Sequence, residues 1–168
     1  MGIRDRVICN GDSVALLVNG ASSYSWEPDT SLSTTSGSAA IAKPGVTTTY
    51  TVTGTNTTGC SSSASVTITV NPLPILTLSP SQNICLNETV NLNASGASTY
   101  NWSPAAGLSA STGASVIASP SVTTTYTIVG TTVAGCSGVE QLTLTVDYLP
   151  QVPVSKDISI CNEASANL

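Results

Sequence analysis

The chain has 168 residues, only 8% of them charged, with 4 basic and 9 acidic side chains, no histidine and a net charge of -5. Four basic residues cannot line a groove that tracks phosphates, which excludes nucleic acid as a partner. The missing histidine excludes a Ser-His-Asp triad and histidine metal centres, and no stretch approaches the ~20 apolar residues of a membrane span.

From the N-terminus, no apolar run follows Met1-Gly2, so these residues do not read as a signal peptide. Ile8-Cys9 ends a first strand or opens a turn, and the pair recurs as Ile84-Cys85 and Ile160-Cys161, a step of 76. GDSVALLVNG follows, with Val14, Leu16 and Val18 alternating; NETVNLNASG repeats it with Val90, Leu92 and Ala94. Such alternation predicts a strand that is apolar on one face, closed by a turn at Gly20 or Gly96. SSYSWEP and STYNWSP put Tyr24 with Trp26, and Tyr100 with Trp102, on one face of the next strand, which Pro28 and Pro104 stop.

Residues 29–38 and 105–114 are small, polar and glycine-containing, and read as loop. SAAIAKP and ASVIASP predict a short strand centred on Ile41 and Ile117. VTTTYTVTGTNTTGC at 46–60 and VTTTYTIVGTTVAGC at 122–136 contain the strongest strand, rich in β-branched residues and tyrosine. The NTTG and TVAG turns then lead past Cys60 and Cys136 into a last strand. Its one-sided residues are Val66, Ile68 and Val70, or Leu142, Leu144 and Val146. Ahead of the second copy, PLPILTLSPSQN adds an edge strand with Leu76 and Leu78 in alternation, bounded by Pro80; Val152 and Val154 alternate in the same way ahead of the third. NPLP and DYLP read as hinges.

A gap-free step of 76 is the mark of a tandem array. Short strands, turn signals and no helical period predict an all-β fold without helix, built of β-sandwich repeats. The expected units are 1–72, with its first strand truncated, 73–148, and the start of a third at 149–168. The expected core is Leu16, Trp26, Tyr50 and Val52 in one unit and Leu92, Trp102, Tyr126 and Ile128 in the next. Leu168 is the equivalent of Leu16 and Leu92, so the expectation is a segment of a longer array whose export signals and anchor lie elsewhere.

Trp26, and Tyr50 two positions before Val52, resemble the immunoglobulin pattern, in which a tyrosine stands two before a cysteine and its hydroxyl ties down the corner leading into that strand. Val52 and Ile128 occupy the cysteine position, and Leu16 or Val18 that of its partner. The resemblance therefore implies aliphatic packing where the inter-sheet disulfide would be. The succession I-C-x₄-V-x-L, Y-x-W-x-P, TTTYTVxG and G-C is similar to the Ig-like and PKD-like repeats of very large secreted surface proteins of Bacteroidota, commonly exported by type IX secretion. Such repeats occur in adhesins, gliding-motility filaments and spacers of secreted enzymes. The PKD motif W-D-F-G-D is not kept, since Glu27-Pro28 follows Trp26.

Cys9, Cys60, Cys85, Cys136 and Cys161 are the disulfide candidates, and repeated cysteines without histidine suggest an oxidising, extracellular setting. Pairing within a repeat, Cys9 with Cys60 and Cys85 with Cys136, is one possibility. Against it, strands rising ~3.3 Å per residue would place Cys9 and Cys60 at opposite ends of a sandwich, on the order of 40 Å apart, whereas a disulfide needs Cα atoms within about 7 Å. Head-to-tail stacking brings the turn after Cys9 to the hairpin before Cys136, so a staple between repeats is favoured. Cys60 with Cys85, Cys136 with Cys161, and free thiols remain as alternatives. A staple across NPLP would turn hinged beads into a stiff rod.

No catalytic, cofactor or metal constellation stands out. Serines lack a base, Asp12 and Glu88 are the only acids that correspond between the two full repeats, no C-x-x-C exists, and Lys43 is replaced by Ser119. Trp26 and Trp102 read as core rather than sugar platforms. N-x-[ST] sequons at Asn56, Asn87, Asn93 and Asn101 arise readily in so Asn-, Ser- and Thr-rich a chain. The expected role is non-enzymatic: a stalk or filament module of a cell-surface adhesin, of gliding-motility type. Its partners would be neighbouring repeats and a surface polysaccharide, host or substratum, without membrane insertion. The alternative is a carbohydrate-binding or spacer module of a secreted enzyme.

Overall fold

The computed structural model describes residues 4–148 and residue 150. The expected third unit, with Val152, Val154 and Cys161, therefore lies outside the described residues apart from Pro150. Among the described residues the chain is all-β with no helix. Its strands are β1 (Arg6–Cys9), β2 (Val14–Leu17), β3 (Ser23–Glu27), β4 (Ala39–Ala42), β5 (Thr48–Thr55) and β6 (Ser61–Asn71), then β7 (Thr77–Leu78), β8 (Gln82–Cys85), β9 (Val90–Ser95), β10 (Thr99–Ser103), β11 (Ser115–Ala118), β12 (Thr124–Thr131) and β13 (Ser137–Asp147). Each of β8 to β13 begins 76 residues after its counterpart among β1 to β6.

The strands form two sandwiches. In the first, the sheet β1-β6-β5-β3 faces the pair β2-β4; in the second, β8-β13-β12-β10 faces β7-β9-β11. Neighbours are antiparallel except at one edge, where β1 runs parallel to β6 with Cys9 opposite Asn71, and β8 runs parallel to β13 with Cys85 opposite Asp147. The single edge strand expected ahead of Ile84 is two strands. β7 pairs with β9, and β8 crosses to β13 in the facing sheet. Pro80 separates them, because a residue with no N–H and a fixed φ interrupts the ladder and lets the chain change sheets.

Alternation fills the two cores. Leu16, Trp26, Tyr50 and Val52 are at most 2% exposed in the first, with Val66 and Ile68 beside them. Leu92, Trp102, Tyr126 and Ile128 are as deeply buried in the second, with Leu142 and Leu144. Leu16 and Val52, like Leu92 and Ile128, lie in one cluster where an immunoglobulin would hold its disulfide. Burying each such side chain contributes about 1.5–3 kcal/mol. Strands β4 and β11 form where expected, but Ile41 and Ile117 point outward. Ala40, Ala42, Val116 and Ala118 point in, since Leu16 stands opposite Ala40 and Leu92 opposite Val116 in the ladders, and shifting phase by one residue would turn those inward side chains to solvent.

The indoles are satisfied inside the fold. Trp26 Nε1–H donates to the Gly37 carbonyl at 2.9 Å, and Trp102 Nε1–H to that of Gly113 at 2.8 Å. Gly37 and Gly113 have φ of 93° and 110°, which glycine adopts without penalty. The tyrosine hydroxyls depart from the expected corner: Tyr50 donates to the Thr30 carbonyl at 3.2 Å and Tyr126 to that of Ala106 at 2.9 Å. They tie down the long loop after β3 and β10. On the outer face, hydroxyl pairs Thr49–Thr67, Thr51–Ser65 and Thr53–Ser63 span 2.9–3.2 Å across β5 and β6. Each of these threonines and serines thereby finds a neighbour in the absence of charge.

Candidate functional site

The structural feature that reaches beyond one sandwich is the junction between the two. A disulfide joins Cys9, at the end of β1, to Cys136, just before β13, with Cα atoms 5.5 Å apart and a sequence separation of 127. Cys60 and Cys85 are free and exposed, so neither the pairing within repeats nor Cys60 with Cys85 is formed. The reason is direction. β1 and β6 run side by side to the exit end of the first sandwich, and the hairpin between β12 and β13 lies at the entry end of the second.

Each half of the junction is built locally. After β1 the chain turns so that the Asp12 N–H donates to the Cys9 carbonyl at 3.0 Å, while the Asp12 carboxylate accepts the Cys9 N–H at 3.3 Å. Glu88 repeats both contacts around Cys85, at 3.0 and 2.9 Å. These two corresponding acids are turn formers. At the other half, the Thr132 N–H donates to the Cys136 carbonyl at 2.9 Å and the Cys136 N–H to Thr132 Oγ1 at 3.1 Å. Gly135 at φ 85° closes the hairpin. Cys136 is 1% exposed. A cleft of ≈ 460 Å³ beside the bond is lined by Ile8, Cys9 and Asp12 of the first sandwich and Ala134 of the second.

The linker expected to be a hinge is docked. Leu76 is 9% exposed and belongs to the second core. Gly130 and Gly138 leave room for it: a Cβ on Gly130 would overlap the Leu76 side chain, and one on Gly138 would lie 2.7 Å from the Pro74 carbonyl oxygen. Gly96, at φ 99°, likewise clears the Ile75 carbonyl. Beyond β13, the Tyr148 hydroxyl donates to the Ser121 carbonyl at 3.2 Å. The sequence signal for this docking was present, since Gly130 and Gly138 stand within strands, and glycine in a strand marks a close backbone approach.

No three residues among His, Cys, Asp and Glu cluster to hold a metal among the described residues. Burial raises the hydroxyl pKa of Tyr126 and of Tyr50, the latter partly offset by the Thr48 hydroxyl. Trp26 and Trp102 offer no ring face to a sugar, and Tyr148 is the one exposed aromatic among the described residues.

No protein-family model and no curated protein matches the chain. Among solved structures, the N-terminal eight Ig domains of Down Syndrome Cell Adhesion Molecule resemble it with a TM-score of 0.50 at 16% identity, over 88% of this chain and 23% of that one. DIP-gamma IG1+IG2 matches with a TM-score of 0.44 at 12% identity, over 87% of this chain and 95% of that one. The insect immune protein hemolin matches with a TM-score of 0.43 at 15% identity, over 86% and 45%. At such identities what is shared is the architecture: the chain is an all-β protein of immunoglobulin-like sandwiches.

Proposed function

We propose that the chain is a non-enzymatic structural and adhesive module of a large extracellular surface protein, with Ig-like units at 1–72 and 73–148 and a third beginning at 149. The observation that carries this reading is the bond between Cys9 and Cys136. Tension applied along the chain would enter at β1, cross to Cys136 and leave through β13, so the residues between the two cysteines would be shielded from it. The docked linker adds stiffness at the same point. Hydroxyl-paired outer faces with few charges suit a protein held outside the cell, and hairpin tips and loops would present the surface that meets a partner. A gliding-motility adhesin of the Bacteroidota type is the finer form of this reading, and it rests on the sequence resemblance.

X-ray scattering of the oxidised chain, with glycan-array binding alongside, tests the proposal. An elongated particle of two sandwiches end to end, stiffer when oxidised than when reduced, and no selective glycan signal is expected. Selective binding of one polysaccharide by a particle equally flexible in both states would replace this reading with that of a carbohydrate-binding spacer.

A further inference from the structure

We propose that Cys85 is one half of a second disulfide of the same kind, taking as its partner the hairpin cysteine of a further domain like these, seated on the exit end of the second sandwich. The inference rests on the stapled-array reading and extends it to a named residue and a partner of stated chemistry.

Cys85 repeats the setting of Cys9. Both end a strand paired in parallel with the last strand of their sandwich, Cys9 opposite Asn71 and Cys85 opposite Asp147. The next N–H in each case returns to that strand: Asn10 donates to the Asn71 carbonyl at 2.8 Å and Leu86 to the Asp147 carbonyl at 3.0 Å. Both cysteine N–H groups are held by a carboxylate three residues on. What differs is that Cys9 carries a bond and Cys85 is an exposed thiol. The complementary half also exists unpaired. Cys60 sits after a hairpin in which the Asn56 N–H donates to its carbonyl at 2.9 Å and Gly59 has φ 85°, as Thr132 and Gly135 do around Cys136. Among the described residues the bond is made once and each of its halves is free once. A heterologous contact of this kind, between unlike ends, continues in one direction rather than closing on itself.

The bond forms by exchange. The Cys85 thiolate attacks a disulfide oxidant such as oxidised glutathione, releasing one thiol and leaving a mixed disulfide. The partner thiolate then attacks Cys85 Sγ and expels the second thiol. The two protein thiols lose two protons and two electrons, and the oxidant's S–S bond takes them up.

The test lengthens the chain by one domain. A second copy of residues 73–148 is inserted after Tyr148, with Cys161→Ser, and the product is equilibrated with oxidised and reduced glutathione. Six cysteines remain. The expected result is two free thiols, those of Cys60 and of Cys85 in the added copy. Cys85→Ser in the first copy alone should raise the count to three, with an unchanged far-UV spectrum. Four free thiols in the parent, with the Cys9–Cys136 linked peptide present, would overturn this inference and leave the proposed function standing. Loss of the Cys9–Cys136 peptide as well would overturn both. A count that falls in the Cys85→Ser variant would show that another pair forms, and would equally overturn the inference.

Discussion

Pulling the chain by its two ends, oxidised and reduced, measures what the junction does. The bond closes a loop with a sequence separation of 127. At 3.3–3.6 Å per extended residue, that loop conceals about 440 Å of contour length. With the bond intact, only residues before Cys9 and after Cys136 can extend, so traces should lack the unfolding step of the first core and most of that of the second. Dithiothreitol, or Cys136→Ser, should restore about 440 Å of extension, released in two steps because the two cores are separate clusters. The same loop lowers the entropy of the unfolded chain, and the chain-entropy relation sets that stabilisation at about 5 kcal/mol. The reduced protein should therefore unfold at lower denaturant concentration. Oxidised molecules that lengthen as far as reduced ones would refute the reasoning, because load would then not be crossing between the sulfurs.

Other outcomes follow from the cores and the linker. Trp102→Phe removes the N–H that satisfies the Gly113 carbonyl and should cost about 1–3 kcal/mol in urea titration, while Ile128→Ala, at a fully buried position, should cost about 2–5 kcal/mol. Gly20 and Gly96 share a positive φ, 98° and 99°, but a Cβ has open space at Gly20 and meets the Ile75 carbonyl at Gly96. Gly20→Ala should therefore lose only the ~1–2 kcal/mol of left-handed strain, and Gly96→Ala distinctly more, with faster proteolysis at the linker; equal losses would mean that the linker is not docked. Burial holds the Tyr50 and Tyr126 hydroxyls above their ordinary pKa of 10.0. The neutral phenols are thus favoured in the folded state, and their contribution is complete below pH ~10 and lost as pH rises through the raised values. Alkaline titration should show cooperative unfolding above that point, and Tyr126→Phe should flatten the second domain's share of the dependence.

Side-chain alternation is a local property, and the strands followed from it. Tyr50, Val52 and Gly54 turn inward along β5 because every second residue must, and the 76-residue step carries the same assignment to Tyr126, Ile128 and Gly130. Composition alone also withheld the histidine that a Ser-His-Asp triad needs. What depends on where distant stretches meet was decided only in three dimensions. Pro80 in the sequence announces a break, but not that β7 and β8 will join opposite sheets. Tyr126 announces a buried hydroxyl, but its acceptor, Ala106, lies 20 residues back in a loop with no pattern of its own. NPLP looks like a hinge until Gly130 and Gly138 are seen to lie under Leu76 and Pro74. The five cysteines allow several pairings, of which head-to-tail stacking favours Cys9 with Cys136; that the two sulfurs do meet rests on which ends of two sandwiches face each other. Proximity of that kind is a property of the assembled fold, because a sulfur can bond only to a sulfur that the packing brings within about 7 Å between Cα atoms.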